Sequence, residues 1–293
     1  MDDETFLLLL LSDSNLPTGS FVASSGFESY TKHGFGGDDA SNRTLTFMRN
    51  SISAYARSAL AFVSDTHRIV QTLRLMHDQG ALRNQPIDGY LAKIKELDEL
   101  YDAMTLNDVT RRASKSQGVA LLTLYSKGFT PSHLPTTVNQ PEADIETNAS
   151  MALLVAKYKS LVRAEIVPGH LPICWGILTG ALGLTLERSQ YLHIFLHARS
   201  LLSASIRLNE IGPYNAQQIL LHVSRSIIEA EVERCKDLRT GIDLNGEGSG
   251  SVSGSGMEED HFDEVVHGPA NTWPLGEILA ARHDLQHSRI FNS

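Results

Sequence analysis

Two pairs of histidines stand four residues apart, His193 with His197 and His283 with His287. On a helix that spacing puts both imidazoles on one face, where they could offer two ligands to a metal ion. Neither pair has a third ligand at a fixed spacing nearby, so surface or packing roles are the better readings and no metal site is assigned. Glu28 could serve as a general base, but it has no companion at meaningful spacing. A structural or interface carboxylate is the better reading. Cys174 lies in an apolar run and reads as a small buried hydrophobe rather than a nucleophile. The chain contains no GxxxxGK[ST] and no Gly-Lys dipeptide, no GxSxG, no HExxH and no GxGxxG after a strand,. The equipment of a self-sufficient enzyme is missing, so neither a catalytic residue nor a cofactor is expected.

The elements that would carry these residues are helical. From Ser41 onward, Leu45, Met48, Ile52, Tyr55, Ala59 and Phe62 alternate at spacings of three and four, one face of a long amphipathic helix,. Leu91, Ile94, Leu97 and Tyr101 mark a second helix. Thr105 and Asp108 read as a capping pair for a third, which carries Val109, Ala113, Ala120 and Leu124 and ends near Gly128 and Pro131,. Prolines and polar residues make 130–144 a loop, and 144–166 returns to helix. Pro168-Gly169 and Pro172 break the chain before a small-residue-rich apolar helix, ICWGILTGALGL. Tyr191, Ile194, Phe195, Ala198, Leu202 and Ser205 stripe the next helix, and Gly212-Pro213 opens a last long one to about Leu238,. The expected fold is all-α, a single-domain bundle of about eight to ten helices over residues 1–238. Residues 239–274 are Gly/Ser-rich and then acidic, and read as a flexible insertion. Residues 275–293 are apolar again and read as a C-terminal docking segment of the same domain.

Composition narrows the class. The 293 residues are 42% hydrophobic and 20% charged, an ordinary globular balance,. A formal charge of −9 with no basic stripe argues against nucleic-acid binding,. Two distant cysteines outside any CxxC pattern point to a reducing compartment,. The apolar run Phe6–Leu11 follows acidic residues where a secretion signal needs basic ones,. No stretch approaches the roughly 20 apolar residues of a membrane span. A cytoplasmic protein with no membrane partner is expected.

Three blocks then match one family. Leu16-Pro17-x-Gly19-x-Phe21 followed by Ser25-Gly26-Phe27-Glu28 resembles the N-terminal signature of the UreF urease accessory proteins, with Phe27 where leucine is usual. His170-Leu171-Pro172 through Gly176, with Ala181-Leu182-Gly183, is similar to the family's central break and helix. The C-terminal RHDLQHSRIFNS resembles its terminal motif of histidine, serine-arginine, two apolar residues and a last serine. The blocks occur in family order across nearly the whole chain, and 239–274 looks like an insertion.

The resemblance implies a non-catalytic, dimeric, all-helical scaffold for nickel insertion. It would bridge a UreD/UreH-type accessory protein to the GTPase UreG, and the complex would load nickel into apo-urease. The absent P-loop agrees, since nucleotide chemistry would belong to the partner. Carried residue by residue, the implied interface is Pro17, Gly19, Phe21, Ser25, Gly26, Glu28 and Tyr30, with His283, Ser288, Arg289, Ile290, Phe291 and Ser293. The family also favours a contact between Tyr30 and Arg289. Two other readings compete: a generic helical adaptor with no role in urease, and a helical enzyme assembled from His193, His197 and Glu28.

Gly26 poses a local question. If Thr18 or Ser20 caps a helix that Gly34 ends, Gly26 lies inside it, where glycine costs about 1 kcal/mol relative to alanine. A missing side chain there would let another helix or the C-terminal tail approach closely, unless it serves ordinary tight packing within one subunit.

Overall fold

The apolar run after the N-terminal acids forms α1 (Asp3–Leu11), capped by Asp2, whose carboxylate accepts the Thr5 N–H. In this computed structural model, which describes residues 2–13, 15–78, 87–130, 142–244 and 263–293, a short α2 (Phe27–Lys32) follows. The three-four period from Ser41 becomes α3 (Ala40–Asp78), a 39-residue helix. Its Met48, Ile52, Ala59 and Phe62 are buried, and α3 is the rod on which the rest is assembled.

Next come α4 (Ile87–Met104), α5 (Asp108–Leu124), α6 (Glu142–Arg163), α7 (Leu171–Leu182) and α8 (Leu186–Arg207). The long helix expected to run from Tyr214 to Leu238 is two, α9 (Pro213–Ile219) and α10 (Arg225–Cys235), joined by a π-helical turn at Leu220–Ser224. The chain ends with α11 (Glu264–His267), α12 (Pro274–Ala281) and a 3-10 turn at Arg282–Leu285. No strand occurs among the described residues, so the fold is all-α. The twelve α segments among the described residues exceed the expected eight to ten. Short pieces such as α2 and α11 are held by tertiary contacts and carry too few residues to show a period.

Helix α7 is the centre. Every residue from Pro172 to Ala181 is buried, which is why its sequence is apolar all round. Gly176 and Gly180 face α3, and a Cβ on them would stand 2.9 Å from the Val63 carbonyl oxygen and 2.9 Å from Val70 Cβ. Their missing side chains set the α3–α7 approach.

Asp98 of α4, fully buried, governs where α7 begins. Its carboxylate accepts the Tyr158 hydroxyl (2.6 Å) and the backbone N–H groups of Gly169 (2.6 Å) and His170 (3.0 Å). The break at Pro168–His170 is therefore pinned by one carboxylate from another helix. His170 hydrogen-bonds Ser114 Oγ at 3.0 Å and Asp102 Oδ1 at 2.8 Å, tying α7 to α5 and α4. Burial pushes the His170 imidazole down, against the opposing pull of Asp102.

Two local expectations change. The cap of α5 is Asn107, whose Oδ1 accepts from Val109 N and Thr110 N, rather than the pair Thr105 and Asp108. Asparagine satisfies two orphan donors from one position. The described ends of the segment expected to be a flexible insertion lie against α3. Asp65 accepts Arg239 Nε (2.5 Å), Thr240 N (2.8 Å) and Thr240 Oγ1 (2.7 Å). Arg57 Nη2 donates to the carbonyls of Val265 and Val266, and Trp273 meets the Phe47 ring edge-on at 5.2 Å. Residues 245–262 of that segment, and 131–141 of the expected 130–144 loop, lie outside the described residues.

Candidate partner-binding site

The first and last motifs meet. Residues 16–30 and the tail 283–293 lie together over α3, α8 and α12, and Glu28 is the hinge pin. Its side chain is fully buried. Oε1 accepts Ile290 N and Lys32 Nζ, each at 2.8 Å, and Oε2 accepts Phe291 N at 3.1 Å. Burial pushes this carboxyl up, but Lys32 and the two tail N–H groups together outweigh it and hold it below its ordinary value,. Lys32 also donates to the Ser288 carbonyl. Two further main-chain bonds, Asn292 N to Val22 O (2.9 Å) and Ser24 N to Ser293 O (2.6 Å), lay the tail alongside 22–24. Phe291 is buried beneath the Arg207 guanidinium, 4.3 Å from its ring centroid,. His283, also buried, shares a 3.1 Å hydrogen bond with the Phe291 carbonyl and brings Nδ1 to 4.0 Å from Glu28.

Backbone shape prepares this seat. Gly19 adopts φ 72° to open a 3-10 turn at Ser20–Val22, with open space where a Cβ would be. Ser25 follows at φ 52°. Gly26 is the N-cap of α2 at φ 87°, so the uninterrupted helix expected from Thr18 or Ser20 does not form. Thr18 and Ser20 hydroxyls stand 3.3 Å from each other instead. The C-terminal helix does pass beside Gly26, but a Cβ there would lie 3.4 Å from the Ala280 backbone nitrogen of α12, an ordinary packing distance, so the approach itself does not require glycine. What calls for glycine there is the left-handed backbone at φ 87°,. Gly34 follows the end of α2 at φ 72°, as expected.

The contact expected between Tyr30 and Arg289 is not made. Tyr30 is buried against Phe27, Phe35 and Phe47, while Arg289 pairs with Asp284 at 2.7 Å on the surface. The Tyr30 ring stays inside that aromatic cluster, and the Arg289 guanidinium is engaged by the Asp284 carboxylate instead. Arg289→Ala is therefore expected to leave the tail seated, with protection of 286–293 in hydrogen exchange unchanged, because exposed pairs contribute about 0–1 kcal/mol. Loss of that protection would show that Arg289 holds the tail.

The remaining candidates divide between surface and interior. Pro17, Phe21, Ser25, Ser288, Arg289 and Ile290 are exposed, whereas Gly26, Glu28, Tyr30, His283, Phe291 and Ser293 are buried beneath them. The outer set can meet a partner; the inner set holds it in place.

Behind the seat lies a cavity of about 310 Å³ reached by both tryptophans, Trp175 and Trp273, and by Tyr55, His193 and His197. His193 shares a 3.0 Å hydrogen bond with Tyr55 and His197 a 2.9 Å bond with Ser51, and both imidazoles stack on the Tyr55 ring. Burial pushes His193 down to about 3 and His197 to about 4, so both are neutral at pH 7. Glu28 is no part of that cavity wall, so the constellation His193, His197 and Glu28 is not assembled. Among the described residues no three His, Cys, Asp or Glu side chains gather as a metal site. His287 is exposed and His283 buried, so that pair does not share one accessible face.

The sequence carried little sign of Asp65, Asp98 or Asn107, and the i, i+4 spacing of Glu28 and Lys32 was the one available hint of the clamp,.

The UreF family model matches residues 41–224, the helical body without the seat and tail. A relative in Cryptococcus neoformans var. grubii, named urease accessory protein 6, is 42% identical over 99% of this chain and 97% of its own length. A Schizosaccharomyces pombe protein described as an uncharacterized urease accessory protein UreF-like is 25% identical over 99% of this chain and 97% of its own. Urease accessory protein F of Arabidopsis thaliana is 28% identical over 79% of each chain. Both fungal alignments extend through the N-terminal seat and the C-terminal tail.

Proposed function

The chain belongs to the UreF family, and from that premise we propose that it is a non-catalytic scaffold for maturation of the urease nickel centre. It bridges a UreD/UreH-type protein and the GTPase UreG in the cytoplasm, as a homodimer, while nickel is inserted into apo-urease. The observation that carries this reading is the Glu28 clamp, which seats the tail beside the N-terminal signature and turns two distant motifs into one surface. A scaffold needs such a shaped, rigid face, because only preorganised contacts avoid the ordering cost of binding.

Disruption of the gene, followed by a urease assay with and without added nickel, tests the proposal. Loss of urease activity with the urease polypeptide still present is expected. Normal activity in ordinary medium would remove this reading in favour of a helical adaptor unrelated to urease.

A further inference from the structure

The junction of α5 and α6 carries a cluster of cations that the fold leaves without acids. Helix α5 runs into a π-helical turn at Tyr125–Phe129, which bears Lys127, and α6 packs beside it with Lys159 and Arg163. Such turns are rare and are frequently found at functional sites. Lys159 and Arg163 stand four residues apart on one helix face, a spacing at which like charges destabilise a helix,. Lys159 Nζ reaches Ser126 Oγ at 3.4 Å, next to Lys127 in the chain. Burial, with the Arg163 and Lys127 charges beside it, pushes the Lys159 ammonium down. The three side chains therefore share one patch.

No carboxylate pairs with any of the three among the described residues, whereas Lys157 on the same helix is matched by Asp88 at 2.7 Å. Glu165, just beyond Arg163, is exposed in left-handed backbone at φ 57° and makes no ion pair among those residues. The sequence from Thr130 to Pro141, which continues from the π-helical turn, contains no Asp or Glu. Three cations against the one carboxylate of Glu165 leave a surplus of two positive charges on a chain of formal charge −9. Lys127 and Arg163 are exposed and Lys159 is half-buried, so the patch is an open surface. Val119, two steps of four before Lys127, is 42% exposed on the same side of α5. Lys127 lies roughly 20 Å along the helix from Arg112, the α5 side chain that meets the tail, at about 1.5 Å per residue. The patch is thus separate from the seat of the tail.

We propose that Lys127, Lys159 and Arg163 form a docking face for an acidic segment of a partner protein, a run of Asp or Glu side chains laid across the junction of α5 and α6. Small ligands take concave sites, whereas an open two-helix surface suits an extended chain. The Arg163 guanidinium can grip one carboxylate through two parallel N–H bonds, and the two ammonium groups serve as point charges for its neighbours. A carboxylate arriving beside Lys159 also relieves the repulsion among the three cations. The negative charge elsewhere on the chain repels the same segment and so directs it to this face.

The test is the fluorescence anisotropy of a labelled octaglutamate peptide titrated with the full-length protein, at low and high salt. Circular dichroism confirms that each variant remains folded. Wild-type affinity should fall as salt rises. The pair Lys159→Gln and Arg163→Gln should weaken binding at least tenfold at low salt, and Lys159→Arg should stay within about twofold of wild type. A control pair, Lys95→Gln and Lys236→Gln, removes the same charge from cations already matched by Glu99 and Glu233 and should also leave binding unchanged. Wild-type affinity in the first pair, or an equal loss in the control pair, would overturn the docking face. So would no binding of the peptide by the wild-type protein at low salt. Displacement of the peptide by inorganic phosphate at matched ionic strength would overturn it in favour of a small oxyanion site. Capture by phosphatidylserine vesicles, lost in the first pair and unaccompanied by peptide binding, would overturn it in favour of a membrane surface.

Discussion

Glu28→Gln is expected to release the last residues of the chain while the helical body stays folded. The carboxylate takes two tail N–H groups and the Lys32 ammonium on its two oxygens. An amide of the same shape has one acceptor, and its NH2 would face a donor. A buried donor left without its acceptor costs about 1–3 kcal/mol. Here the loss has a ceiling, because the tail can leave and hydrate its N–H groups once undocking is cheaper than remaining. The body should therefore lose little stability, while hydrogen-exchange protection at 290–292 collapses. Retained protection of those amides would show that Phe291 and the main-chain bonds to 22–24 hold the tail without the carboxylate.

Acid should act on the same clamp. The Glu28 carboxyl is held below its ordinary 4.5, so the stabilisation it contributes is fully present above that pH. It is lost as pH falls through the lowered value. Tail release is thus expected on the acid side of pH 4.5, and not between pH 5 and 8.

Asp98→Ala should have the larger effect on the fold. No comparable escape exists, because Tyr158 and the Gly169–His170 backbone are held inside the bundle by α6 and α7. Three donors lose their acceptor together. At about 1–3 kcal/mol for each buried orphan, the loss is on the order of 4 kcal/mol or more, enough to threaten a domain of ordinary stability. Chemical denaturation should show a much lower midpoint, or the protein should be recovered aggregated. Asp98→Asn keeps one good acceptor oxygen and should fall between. A denaturation midpoint for Asp98→Ala equal to wild type would mean that water or a neighbouring group replaces the carboxylate.

These two residues mark the boundary between what was legible in the chain and what was not. The helical class, the faces of α3, α4 and α8, and the all-round apolar character of α7 follow from a period of 3.6 residues, a local property that any window of sequence displays. The apolar tail was legible for the same reason: composition reports burial without naming the neighbour, whereas the left-handed turn that Gly26 supplies at φ 87° was not. The neighbours themselves were decided only by the fold. Asp98 reaches across 71 positions, Asp65 across 175 and Glu28 across 262, and nothing local records such separations. The pairing of Tyr30 with Arg289 failed on a further ground. Side-chain donors and acceptors can be read from residue types, so a guanidinium and a phenol invite pairing. The bonds that seat the tail use the backbone N–H of Ile290 and Phe291, a donor that every residue except proline carries. Such a bond leaves almost no trace in the residue that donates it, and only the buried carboxylate that receives it betrays the contact.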